Sequence, residues 1–224
     1  MIQLINELSG IVIAMLAGLY SFRYIHSFYK VYFIQLLIYI LVYILSYVVL
    51  SLPNINPFPG SNQWLYNLQI PIETGLLVWA GYQYFKPYKE RFLLLIGYVI
   101  VFAVFICEVI IKGLNVFANH GYIAESILLL ILYLVVLYSQ FRIENNSWKR
   151  SPDIWIALGI IIYFGGIVPY LSLVHYLDLY HRTLSYYLYN IIPVGLGNLR
   201  YIMLAIGFWL MRRNAIIKNL IVNE

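Results

Sequence analysis

Charge is what this chain has least of. Only 10% of its residues are Asp, Glu, Lys or Arg, while 63% are hydrophobic. A soluble domain carries about 25% charged residues. A chain of 224 residues with this balance and a mean hydropathy of +0.82 cannot hide its apolar surface from water, so it reads as an integral membrane protein. Cysteine is nearly absent as well: the single Cys107 excludes an intrachain disulfide and a thiolate metal site, and it reads as a small core residue. There is no glycine-rich phosphate loop and no Ser-His-Asp arrangement, and the last apolar run has no lysine for a retinal Schiff base. The first 22 residues lack a basic n-region and place Glu7 ahead of the apolar stretch, so they are expected to be a retained helix rather than a cleaved signal.

What is present is a series of apolar runs of spanning length. They fall at about 3–22, 31–52, 65–85, 92–111, 121–141, 154–174 and 186–211, with short connections between them. The expectation is an all-α, single-domain bundle of seven transmembrane helices covering residues 1–224. The basic residues sort between alternate connections. Eleven of the fourteen lie in connections 1–2, 3–4 and 5–6 and in the tail, against Lys112 and Arg182 on the other side and Arg200 within the last run. The positive-inside rule then puts the N-terminus outside and the C-terminus in the cytoplasm. A net charge of +5 would point to nucleic acid in a soluble protein; here the bilayer is the partner, and no nucleic acid or cofactor is expected.

The third run carries Asn67, Gln69, Pro71 and Glu73 in its first turns. An acid inside a membrane helix costs roughly 2.5 kcal/mol or more and survives only facing protein, a partner or water. The last run echoes it with Tyr189, Asn190 and Pro193, followed by Asn198 and Arg200. Glu73 lies roughly 12 Å below the outer boundary and Arg200 roughly 21 Å in, so a Glu73–Arg200 pair is within reach. Glu108 and Glu125 join Glu73 in the outer half. Gln35, Tyr39, Tyr43 and Tyr47 repeat at i, i+4 on one face of the second helix, and Tyr39 and Tyr43 are too deep to be interfacial belt residues. The expected ligand site is therefore an outward-facing polar cavity of Glu73, Gln69, Asn67, Asn190, Asn198, Arg200, Glu125, Glu108, Tyr39 and Tyr43. His175, Asp178 and His181 form the only metal candidate, with spacing that one helix cannot present well to one ion. Pro71, Pro193 and the Gly165-Gly166…Pro169 stretch are candidate hinges.

Two short echoes, Leu19-Tyr20-Ser21 with Leu137-Tyr138-Ser139 and Leu65-Tyr66-Asn67 with Leu188-Tyr189-Asn190, raise a parallel 3+1+3 repeat. The pattern Trp64-Leu65-Tyr66-Asn67 running into Pro71-x-Glu73, with Glu125 and Pro152-Asp153-Ile154-Trp155-Ile156, resembles a loose group of small bacterial seven-helix proteins of uncharacterised activity. That resemblance implies a partner such as a sensor histidine kinase. The duplicated-triplet plan is also similar to that of the SWEET sugar transporters, without their proline-glutamine signature. The leading expectation is a multi-pass sensor of the cytoplasmic membrane that binds a small molecule or cation and signals through a cytoplasmic or membrane partner. A small-solute or cation transporter comes second, and a metal-dependent lipid hydrolase third.

Overall fold

The structure is a computed structural model that describes residues 2–26, 29–52, 56–58, 60–85, 88–142 and 148–222. Lys86 lies outside the described residues, and only the backbone of Glu7 is described. The described residues form seven helices joined by turns and short 3₁₀ segments: α1 Ile2–Ser21, α2 Lys30–Ser51, α3 Gln63–Tyr82, α4 Tyr88–Lys112, α5 Asn119–Phe141, α6 Pro152–Tyr180 and α7. The last, α7, is one run in three pieces: an α-helical Arg182–Tyr189, a π-helical Asn190–Leu196 and an α-helical Gly197–Val222. It begins earlier and ends later than the apolar run 186–211 implied, because the basic tail stays helical beyond Arg213. The sixth helix also outruns its expected end at 174, and it continues through Pro169 without a break.

Five helices (α2, α4, α5, α6 and α7) are long and apolar enough to cross a membrane, which makes this a multi-pass membrane protein. The third is not one of them. Asn67, Gln69 and Glu73 dilute its apolar content, and all three are buried. It packs against α2, α4 and α5, so its neighbours shield it. The described apolar part of α1 is a shorter helix, Leu8–Tyr24.

The helices alternate in direction, so connections gather at two ends. At one end Tyr29 and Tyr84 both donate to the carboxylate of Asp153, and Asn214 Nδ2 reaches the Arg150 carbonyl at 3.0 Å. This ties connections 1–2, 3–4 and 5–6 to the end of α7, and we call it the basic end. At the other, the open end, Ser61 donates to the Asn115 carbonyl at 3.0 Å, joining connections 2–3 and 4–5. The first and last helices run parallel: Gly10 meets Asn198 near the open end, and Tyr20 lies under the Arg212 guanidinium near the basic end. Gly10 makes that approach possible, since a Cβ there would fall 2.6 Å from Asn198 Oδ1.

The core sits towards the basic end. Tyr32, Leu36, Leu77, Tyr133 and Phe208 are almost fully buried there, against a lipid-facing surface of exposed leucine, isoleucine and valine. The other half holds two smaller buried clusters, one of Ile70, Phe105 and Ala118 and one of Ile167, Tyr170 and Leu171, and a cavity opens there.

Candidate functional site

The cavity has a volume of about 710 Å³. Its mouth is at the open end, between Asn62 and Gln63 at the start of α3, Phe117 and Asn119 at the start of α5, and Asp178 near the end of α6. Its walls are dominated by tyrosine, with Tyr39 and Tyr43 from α2, Tyr122 from α5, Tyr163 and Tyr170 from α6, and Tyr201 from α7. Glu73 lies ten residues past Gln63 on α3, roughly 15 Å in. It closes the deep end together with Gln69, one turn above it.

Glu73 is only 3% exposed, and four groups account for its position. Arg200 donates to Oε1 at 2.7 Å, Gln35 Nε2 donates to the same oxygen at 2.9 Å, and the Tyr39 hydroxyl donates to Oε2. Gln35 and Tyr39 occupy one face of α2 at i, i+4, so one helix supplies two of the three donors. The fourth group is the aromatic shell around the partner cation. The guanidinium of Arg200 sits 5.0 Å from the Tyr163 ring centre, 5.1 Å from Phe164, 5.7 Å from Tyr201 and 5.8 Å from Tyr39. Aromatic faces attract a desolvated cation, and Arg200 is itself only 5% exposed. The expected pair is thus formed. The cavity wall holds Glu73 and the tyrosines, while Arg200 lies behind them.

Gly159 sets how closely α6 packs here. A Cβ at that position would stand 3.1 Å from the Arg200 carbonyl oxygen, a tight contact that would push the α6 and α7 backbones slightly apart beside the ion pair. The π-helical segment contributes Pro193 and Val194 to the wall. Proline has no N–H for the helical ladder, and π turns recur at functional sites.

Of the ten expected ligand residues, Glu73, Gln69, Asn198, Tyr39 and Tyr43 line the cavity. Asn198 Oδ1 also accepts from the Gly10 amide at 2.9 Å, and the Ser9 hydroxyl approaches it at 3.4 Å. Arg200 acts from behind through Glu73. Three others serve elsewhere. Asn67 is fully buried and clasps the α4–α5 connection, donating to the Leu114 and Val116 carbonyls and accepting from the Ala118 amide at 2.8 Å. Glu108 accepts from Lys112 at 2.6 Å and the Gly121 amide at 2.9 Å, with His120 Nδ1 at 3.0 Å, and so pins α4 to α5. Asn190 donates back to the Tyr186 carbonyl of its own helix at 2.9 Å. Backbone groups of the α4–α5 connection and the start of α5 hold Asn67 and, with Lys112 and His120, Glu108, while Asn190 bonds within its own helix. The echoing Asn67 and Asn190 therefore occupy different environments.

Glu125 has a place of its own: completely buried, near Glu73 and Arg200, and outside the cavity wall. His175 and His181 are exposed, and Asp178 accepts from the Ser185 hydroxyl. Among the described residues no three of His, Cys, Asp and Glu stand together as a metal site. Sequence reasoning missed Tyr122, Tyr163, Tyr170 and Tyr201, as well as the donor role of Gln35.

The fold and site together describe an all-helical membrane protein with a one-sided, tyrosine-walled cavity ending on a caged ion pair. Comparison with known protein families, with curated proteins and with solved structures gives no match to this chain.

Proposed function

We propose that this protein is a sensor of the cytoplasmic membrane. In this reading all seven helices cross the bilayer, with the N-terminus outside, the C-terminus in the cytoplasm and the cavity open to the exterior. The cavity takes a small organic molecule rich in hydrogen-bond donors, or a cation, and the basic end contacts a cytoplasmic or membrane signalling partner. The observation that carries this reading is Glu73: a carboxylate facing a tyrosine-walled cavity while its counter-ion stays behind the wall. Aromatic faces with a carboxylate suit a positively charged or donor-bearing ligand. The packed core below Glu73, with Leu77, Tyr133 and Phe208 buried, supports one-sided access. The clustering of basic residues at the opposite end supports the orientation.

The test is thermal stability of the purified protein in detergent against metabolites, lipids and cations, wild type beside Glu73→Gln. A ligand at one hundred times its Kd stabilises the folded state by about 2.7 kcal/mol. Stabilisation of wild type alone places Glu73 in the binding site; equal stabilisation of both proteins removes it.

A transporter is the second reading, and the interrupted α7 favours it. Its π-helical turn, with Pro193, lies in the cavity wall, and π turns recur at functional sites. The packing order supports the accompanying 3+1+3 repeat: α1–α2–α3 and α5–α6–α7 pack in sequence, with α4 against α3 and α5. Flux of the stabilising ligand into liposomes decides for transport, and binding without flux decides for the sensor.

A further inference from the structure

Two carboxyl groups and one guanidinium share the interior of this bundle. Glu73 holds Arg200 at 2.7 Å. Glu125, on α5, is 0% exposed, and neither of its oxygens receives a hydrogen bond. Charges buried away from water survive only when paired, and an unpaired carboxylate costs several kcal/mol. The polar group beside Glu125 is the Thr74 hydroxyl on α3, whose hydrogen goes to the Ile70 carbonyl at 2.8 Å. Thr74 gives its one hydroxyl hydrogen to the backbone, which leaves both Glu125 oxygens without a donor.

Among the described residues, the other elements packed around α5 offer Glu125 no second cation. From α3 comes Glu73, from α7 Arg200, and from α6 Tyr163, whose hydroxyl pairs at 2.8 Å with Tyr122 of α5 itself. The fourth helix brings Tyr98, whose hydroxyl reaches the Pro71 carbonyl at 3.4 Å, and Glu108, already satisfied by Lys112, His120 and the Gly121 amide. A metal cation would need several converging oxygen ligands, and Glu125 lies outside the cavity wall.

We propose that Glu125 is a proton-binding site: the resting protein holds one proton on Glu125, which balances the two carboxyl groups against the single Arg200. The site stands whether or not the cavity reading above holds, because it needs no ligand.

Infrared spectroscopy of the purified protein in lipid at neutral pH tests it. The expected result is a carboxylic-acid C=O band in wild type that shifts in D2O, persists in Glu73→Gln and is lost in Glu125→Gln. Thr74→Val should move the band without abolishing it. A wild-type spectrum with no such band overturns the proposal, as does a band that survives Glu125→Gln. Loss of the band when potassium buffer is exchanged for sodium also overturns it, by assigning the site to a metal cation. Should Glu125→Gln not fold, Glu125→Asp must shift the band, and an unmoved band counts against Glu125. Because the test uses no ligand, its failure leaves the cavity reading intact, and a failed ligand screen leaves this one intact.

Discussion

At the scale of single residues, the ion pair of Glu73 and Arg200 decides most. Removing one member strands the other where protein covers it almost completely, since Glu73 is 3% and Arg200 5% exposed. Breaking a buried pair costs about 3–5 kcal/mol, whereas replacing both members by neutral groups of similar volume is often far milder. We therefore expect Arg200→Met to lower thermal stability more than the double variant Glu73→Gln/Arg200→Met, read by unfolding in detergent. A double variant that simply adds the two single losses would mean the two side chains do not interact. Loss of the Tyr39 hydroxyl should cost less, about 1 kcal/mol. This part of the site was legible in the sequence, because a charge at membrane depth demands a partner and only one cation lay deep enough. Of the tyrosine wall, Tyr39 and Tyr43 were legible from their depth on one face of α2, whereas Tyr122, Tyr163, Tyr170 and Tyr201 were not. With 23 tyrosines in 224 residues, the type marks nothing, and only the packing of α5, α6 and α7 separates Tyr122 and Tyr163 from the exposed Tyr176.

The tyrosines at the basic end make a second residue-scale prediction. Burial, then the Asp153 carboxylate, pushes the Tyr29 hydroxyl well above its ordinary range. Burial does the same to Tyr84, aided by Tyr32 and then Asp153. Both side chains stay protonated in the fold at a pH where the unfolded chain ionises. Above the ordinary tyrosine value of about 10, the unfolded state thus binds fewer protons than the native state, and stability falls as pH rises. The clasp contributes fully below that value and is lost above it. A denaturation series from pH 8 to pH 11 should show the decline, and Tyr29→Phe/Tyr84→Phe should make it shallower.

At the scale of elements, α7 holds the main surprise. Pro193 was readable as a kink, but not as a π-helical stretch of 7 residues, because widening is a choice the neighbours make. Proline removes one ladder donor, and the adjoining chain re-forms its bonds one residue further along. That turn carries Val194 into the cavity wall. Pro193→Ala restores the donor, so the segment should tighten to an α-helix and gain up to about 3 kcal/mol of local helix stability. The same change rotates the residues that precede it relative to Gly197–Val222. The check is Val194→Cys in a Cys107→Ser background. A water-soluble thiol reagent should label it quickly with Pro193 present and slowly with Pro193→Ala. Equal labelling would mean that proline does not cause the widening.

At the scale of the whole molecule, the two ends are built for different work. The open end leaves a cavity, while the basic end is cross-tied by Asp153, Tyr29, Tyr84 and Asn214. Between them the buried Tyr32 and Tyr133 hydroxyls meet at 2.9 Å, and Tyr133 also reaches the Leu77 carbonyl one turn below Glu73, at 3.4 Å. Polar contacts thus continue from the cavity floor on α3 through α5 and α2 towards the basic end. The alternation of basic connections made the two ends legible, but the clasp that ties the basic end depends on Asp153 opening α6 beside two tyrosines far away in sequence. Asp153→Asn keeps an acceptor there and removes the charge, so the tie weakens while the cavity, at the other end, keeps its shape. A thiol reporter at Arg213→Cys, again with Cys107→Ser, should become more reactive in Asp153→Asn, and one at Val194→Cys should not. If both reporters change together, the bundle loosens as one body and the two ends are not separable. If only Arg213→Cys responds, the basic end moves independently of the cavity, as a surface that meets a partner must.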